Sequence, residues 1–395
     1  MKRIGDSLRR ALLPALAVIT AFLLGAIVIV LTDFEHLQHI GTDPAGAIGG
    51  AIGGVFDGYG AMLSSAIGDP RRIVAAIQSG DARDIATAIW PITEALVSAT
   101  PLIFVSLGVL ISFRAGLFNL GAEGQLLMGG LGATITAISL DGHLPPSLIL
   151  IVALVGGTIS GAAYGFLPGF LKARTGAHEV ITTLMLNSIA PQIAILALRS
   201  GEFSRSLTPI ADVPLIVDLP TIRLDWGFVV AVLMSAVVSV LLFRTTIGFE
   251  LRTVGFSRTV ARSVGMNPGL TVTLAMTLSG GLAGMGGAFL SLGPVGQMAQ
   301  PYGDIGFVAL ALALISGLRP SGVVLAALVY GALTNGAKNM AIVSGIPLAF
   351  LVVIVAFAMM FVAAPGLIRS LWRINVAKPA IEITDVEPVR PADSI

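Results

Sequence analysis

The chain has no cysteine and only four histidines among 395 residues, and charged side chains make up just 11% of it. Without cysteine there is no disulfide framework, thiolate metal site or cysteine nucleophile. The redox compartment is left unread as well. An ordinary soluble domain is about 25% charged, so this chain has too little charge to clothe a water-exposed surface. Also missing are the GxxxxGK[ST] phosphate loop, HExxH and GxSxG. No Walker-type ATP site exists in the chain, it is not expected to be an enzyme, and any ATP drive must come from a partner. His36 and His39 have helical spacing but no third ligand nearby, so no metal is expected. The net charge of +1 says nothing about nucleic acid, and no basic patch interleaved with aromatics suggests it, so no nucleic-acid partner is expected.

What is there is apolar: the residues AVILMFWYC supply 55% of the chain. A membrane crossing needs about 20 of them in a row. Such stretches predict an all-α, polytopic transmembrane bundle of ten spans, near 12–31, 92–113, 122–140, 147–168, 178–199, 227–243, 270–292, 303–318, 320–338 and 346–364. Residues 1–10 resemble the basic region of a signal peptide, but the apolar run after them is too long and ends without a small-residue cleavage pattern. They are expected to be a cytoplasmic N-terminus leading into the first span.

Basic residues test the topology, because cytoplasmic loops are enriched in Lys and Arg. With both termini cytoplasmic, only Arg71, Arg72, Arg83, Arg199, Arg205, Arg223 and Lys338 of the 23 basic residues fall outside. Counting Pro44 to Gly68 as an eleventh span would expel the basic 244–269 loop. Residues 33–91 are therefore expected to be extracytoplasmic, with an interfacial or re-entrant helix, and 11–365 to form the transmembrane domain. The tail, 366–395, is expected to be cytoplasmic and disordered from Ala377 on. Gly46, Gly49, Gly50, Gly53 and Gly54, like Gly280, Gly281, Gly284, Gly286 and Gly287, permit close helix approach.

Three polar features interrupt the apolar pattern. Arg114 to Gln125 sets Arg114, Asn119, Glu123 and Gln125 among glycines between two long apolar runs. Ionisable groups at membrane depth are costly and mark substrate routes, although for Arg114 and Glu123 mutual neutralisation as a pair is the preferred reading. Glu179, Thr183 and Asn187 recur every four residues and form one polar helix stripe, with Thr182 beside it. Interhelical hydrogen bonding and lining of a path are equal readings of that stripe. The third feature is a short basic helix begun by Ser257 and ended at Gly265, placed to rest on lipid or to dock on a partner.

The runs Ala99-Thr-Pro-Leu102, Phe113 to Gln125, Glu179 to Asn187 and Gly317-Leu-Arg-Pro-Ser-Gly322 resemble permease subunits of ATP-binding-cassette importers in the branched-chain amino acid, ribose and nucleoside branch. The likeness runs from about residue 90 to 365 and is strongest to the longer permease of bacterial nucleoside importers, the simple-sugar type. It implies nucleoside transport across the bacterial cytoplasmic (inner) membrane by alternating access. The implied partners are ATP-binding subunits that hold ATP and Mg, a second, shorter permease forming a heterodimer, and an extracytoplasmic binding protein or lipoprotein, within membrane lipid.

Ser257, Arg258, Thr259, Ala261, Arg262 and Gly265 would couple to the ATPase, although only Ala261 and Gly265 keep the family's E-A-A-x-x-x-G pattern. The hypothesised substrate path comprises Phe118, Asn119, Glu123, Gln125, Glu179, Thr183 and Asn187. Ribose or another simple sugar is the alternative substrate. An ion-coupled secondary transporter using Glu123 and Glu179, and a scaffold subunit with no path, are the competing functions.

Overall fold

The computed structural model describes residues 2–198, 213–216, 219, 221–293 and 304–373. Among these, every regular element is a helix, and one isolated bridge joins Leu215 to Asp225. In chain order they are α1 (Lys2–Thr32), α2 (Phe34–Leu37), α3 (Pro44–Ile67), α4 (Pro70–Ser79), α5 (Ala82–Arg114), α6 (Ala122–Leu140), α7 (Pro146–Thr175) and α8 (Glu179–Leu198). After them come α9 (Gly227–Arg244), α10 (Thr246–Phe256), α11 (Arg258–Ser263), α12 (Pro268–Leu292), α13 (Ile305–Ile315), α14 (Pro320–Ser344), α15 (Ala349–Ala363) and α16 (Pro365–Leu371). Six of them, α5, α7, α8, α9, α12 and α14, are long and apolar enough to cross a membrane.

Among the described residues, each of the ten stretches expected from hydrophobicity holds a helix, but polar caps place the ends better than apolar runs do. Asp81 accepts the N–H of Arg83 and starts α5 ten residues before its apolar stretch. The amphipathic α4 lacks a long apolar run, yet Asp69 caps it, Pro70 opens it and Gly80, at φ +69°, closes it. Likewise α10 is set by Thr245, whose hydroxyl accepts the N–H of Gly248. The expected disorder of the tail from Ala377, and basic residues Arg199, Arg205, Lys378 and Arg390, lie outside the described residues.

At the centre, α7 packs antiparallel to both α6 and α12. Lipid tails are as apolar as leucine, so association here depends on close van der Waals fit, which small residues allow. A Cβ on Gly161 would stand 2.5 Å from the Cα of Gly284, and one on Gly165 2.5 Å from the carbonyl oxygen of Met276. Of the α12 glycines expected to pack closely, Gly280, Gly284 and Gly287 meet α7 or α6 and Gly286 meets Phe104 on α5, whereas Gly281 has only ordinary contacts. In α3 the expectation holds at Gly50, where a Cβ would lie 2.3 Å from the His36 ring, and fails at three others. Gly49, Gly53 and Gly54 face open space, because α3 uses its other side, with Gly58 and Met62, against α14.

The path before α5 follows from helix directions. Gly58 lies beside Met340 and Ile346 while Asn339 reaches back to Ser65 at 2.7 Å, so α3 runs antiparallel to α14. Asn335 donates to the carbonyl of Pro91 and Gly331 abuts Ala95, so α5 also runs antiparallel to α14. Two helices pointing the same way are thus joined through α4 alone. The chain enters along α3, turns at Gly68 (φ +81°) and returns along α4 before α5 begins.

Candidate functional site

At the end of α5 the chain turns at Gly116, whose φ of +71° suits glycine. The turn packs so closely on α10 that a Cβ there would lie 3.1 Å from the Cα of Gly255. Residues 115–121 then run back into the bundle before α6 starts. Ser112, near the end of α5, sits by Met276, whereas Asn119 hydrogen-bonds Ser279, farther along α12. The first turn of α6 therefore begins about midway along α12.

Asn119 holds this break and is fully buried. Its amide donates to Gln125 Oε1 and Ser279 Oγ, both at 2.8 Å, and its carbonyl accepts the N–H of Gly121 at 3.0 Å. From α8, Asn187 accepts the N–H of Gly124 at 2.8 Å and donates to the carbonyl of Leu120. One side chain thus satisfies groups on both sides of the helix start. Thr183 is fully buried and donates to the carbonyl of Glu179 at 2.7 Å, and Glu179 pairs with Lys172. The polar stripe of α8 faces protein.

Glu123 accepts the backbone N–H of Gly306 in the first turn of α13. That helix is only 11 residues long. Its N-terminus, carrying unpaired N–H groups and the positive end of the helix dipole, points at Glu123. Arg114 and Glu123 do not pair, contrary to one sequence reading. Arg114 donates to the carbonyl of Leu318 at 2.7 Å and stacks 5.5 Å from the Phe243 ring centroid. Arg114 thus meets the C-terminal end of α13 and Glu123 its N-terminal end, about 16 Å away along the helix.

The site that results joins Asn119, Glu123, Gln125, Thr183 and Asn187. Asn119, Gln125 and Thr183 are closed off by their own hydrogen bonds, whereas Phe118, 53% exposed and edge-on to Phe113, presents its ring outward. Sequence reasoning missed Ser279, Gly306 and Asp304. Asp304 is exposed at the N-cap of α13, within electrostatic reach of Glu123 and Tyr330. Its position directly before a short apolar run was the available signal.

At the Arg114 end of the bundle, Ser257 caps α11 and Gly265, at φ +83°, ends it, as expected. Ala261 is fully buried, so it forms the inner face of this loop and offers no docking surface. The outward face carries Phe256, Val260 and Val264, four residues apart and 90%, 49% and 63% exposed. Arg258, Thr259 and Arg262 are exposed beside them. Exposed apolar side chains beside polar ones suit contact with a partner protein or with membrane lipid.

The chain is 35% identical over 293 residues to the guanosine ABC transporter permease protein NupP of Bacillus subtilis, covering 71% of this chain and 83% of that protein. It is 28% identical over 393 residues to the nucleoside ABC transporter permease protein NupB of Lactococcus lactis, covering 95% and 97%. It is 30% identical over 313 residues to the glucose ABC transporter permease protein TsgB13 of Haloferax volcanii, covering 74% and 80%. No solved structure matches it. Residues 92–364, which hold the broken helices and the exposed loop, match one family model, and the chain belongs to that family, the branched-chain amino acid transport system / permease component.

Proposed function

We propose that this chain is the membrane-spanning subunit of an ATP-binding-cassette importer that carries nucleosides across the bacterial cytoplasmic membrane. The observation that carries the reading is the meeting of two helix starts, α6 and α13, around Glu123 inside an apolar bundle. Broken helices are tolerated at membrane depth where they line a cavity, and their ends bind polar substrates. The nucleoside relatives support the substrate class.

A nucleoside offers hydroxyl and N–H donors and a flat base. Glu123 and Asp304 accept the donors, and the outward ring of Phe118 stacks on the base. Asn119, Gln125, Thr183 and Asn187 hold the break in shape, and the Glu179–Lys172 pair fixes the start of α8. Transport is alternating access. ATP-binding subunits, which hold the ATP and Mg, dock on Phe256, Val260 and Val264 with Arg258, Thr259, Arg262 and Gly265, and their closure rocks this chain against a second, shorter permease. An extracytoplasmic binding protein or lipoprotein delivers the substrate. In this reading the chain makes ten crossings with both termini cytoplasmic, and α3 with α4 forms a re-entrant hairpin on the outer side.

A second reading, transport of a simple sugar, is favoured by the glucose permease relative. Uptake of labelled guanosine and glucose by cells carrying the complete transporter separates them. Guanosine uptake that disappears when this chain is deleted supports the proposal. Glucose uptake alone overturns the substrate.

A further inference from the structure

Outside the broken-helix site, a cavity of 560 Å³ opens between α1, α13, α14 and α15. Its wall is apolar along Phe22, Leu325, Val329, Leu333 and Ile354, and polar at one end, where Ser316, Arg319 and Ser321 line it. Arg319 is exposed, and its guanidinium makes no ion pair or hydrogen bond among the described residues. It is also the N-cap of α14, which has no side-chain cap, so first-turn N–H groups of a 25-residue helix lie beside it.

Positive charge accumulates at this end. Arg114 is tied to Leu318, next in sequence to Arg319, and Arg114 and Arg252 lie 5.5 and 5.4 Å from the centroid of the same Phe243 ring. No carboxylate forms an ion pair with any of the three arginines among the described residues. From Arg319 to Leu333 the groove follows α14 for about 21 Å, against about 15 Å for half of a bilayer's hydrocarbon. An unpaired cation at the mouth of an apolar slot long enough to reach through one leaflet is complementary to a molecule with a single anionic head and a hydrocarbon tail.

We infer that this groove holds an anionic phospholipid of the leaflet on the Arg319 side, its phosphate on Arg319 and the α14 N-terminus and one acyl chain along α14. The α1 and α15 pair meets α14 only loosely, and the chain of this lipid fills the space between them. The site is separate from the substrate site and stands whether the substrate is a nucleoside or a sugar.

The test uses the complete transporter, purified and delipidated, then exposed to phosphatidylglycerol or phosphatidylcholine of the same acyl chains. Retained lipid is counted by native mass spectrometry. The wild type is expected to retain phosphatidylglycerol preferentially and to melt about 3 °C or more higher with it. Arg319→Gln should abolish the headgroup preference, and Ala326→Trp, which fills the slot, should abolish retention of both lipids. Equal retention of the two lipids by the wild type, or retention unchanged in both variants, overturns the inference. Because the chain has no cysteine, Leu325→Cys supplies a unique probe. Its cross-linking to the second permease would show a protein occupant and overturn the lipid assignment.

Discussion

Glu123 in the first turn of α6 accepts the backbone N–H of Gly306 in the first turn of α13. Two helices of which neither continues the other thus share one carboxylate at their starts. A negative charge stabilises both N-termini at once, since each presents unpaired N–H groups and a partial positive charge. Replacing Glu123 by Ala removes the side chain that bridges them. Uptake by the complete transporter should fall about tenfold or more, matching the loss of one charge-assisted hydrogen bond. Glu123→Gln, which keeps an acceptor without the charge, should lie between. Uptake rates at equal membrane expression decide this, and a Glu123→Ala variant transporting like wild type would refute the shared role.

Asn119 and Asn187 act on the same break from opposite sides, through the loop and through α8. Each is expected to contribute stability rather than affinity, because their polar atoms are committed within the chain. Asn119→Ala and Asn187→Ala should each destabilise the detergent-purified protein by about 1–3 kcal/mol. The apparent KM for substrate should stay near the wild-type value. A raised KM with unchanged melting temperature would instead assign these side chains to direct substrate contact.

Glu94 on α5 is buried, and Arg223 grips it with two hydrogen bonds of 3.1 and 2.8 Å. Arg223 itself remains half exposed, so the pair is partly screened. Arg223→Ala should cost about 1–3 kcal/mol, since it leaves a buried carboxylate without its partner. Glu94→Gln combined with Arg223→Ala should recover part of that loss. Thermal unfolding of the two single variants and the double variant closes the cycle, and additive losses would show that the two residues do not interact.

Where Gly161 meets Gly284, the α7–α12 seam leaves no room for side chains. Gly284→Val should prevent monodisperse folding altogether, because its Cβ would stand 2.8 Å from the Cα of Gly161. Gly281→Val, with only ordinary contacts at 3.5 Å or more, should be tolerated. Size-exclusion profiles of both variants check the contrast.

Hydrophobic runs made the ten main helices readable, and the small residues of α12 were readable as a packing seam. Gly49, Gly53 and Gly54 of α3 carried the same spacing but face open space, since spacing alone does not say which side of a helix meets a neighbour. The Arg114 and Glu123 pairing was wrong for a related reason. Nine residues apart in sequence, they are separated by the length of α13, because the chain turns back into the bundle between them at 115–121. In the 244–269 loop, polar residues drew attention because they stand out in an apolar chain. The exposed face also carries Phe256, Val260 and Val264 beside Arg258, Thr259 and Arg262, and their apolar character hides them in such a composition.

The most direct test of the account is ATP-driven accumulation of labelled guanosine in vesicles holding the complete transporter, comparing wild type with Phe256→Asp. Phe256 is 90% exposed, so the change should leave the fold of this chain intact. The account predicts accumulation in the wild type only with ATP, and its loss in Phe256→Asp although the variant reaches the membrane at normal amounts. Undiminished ATP-driven accumulation in the variant, or accumulation driven by an ion gradient in the absence of ATP, would contradict it.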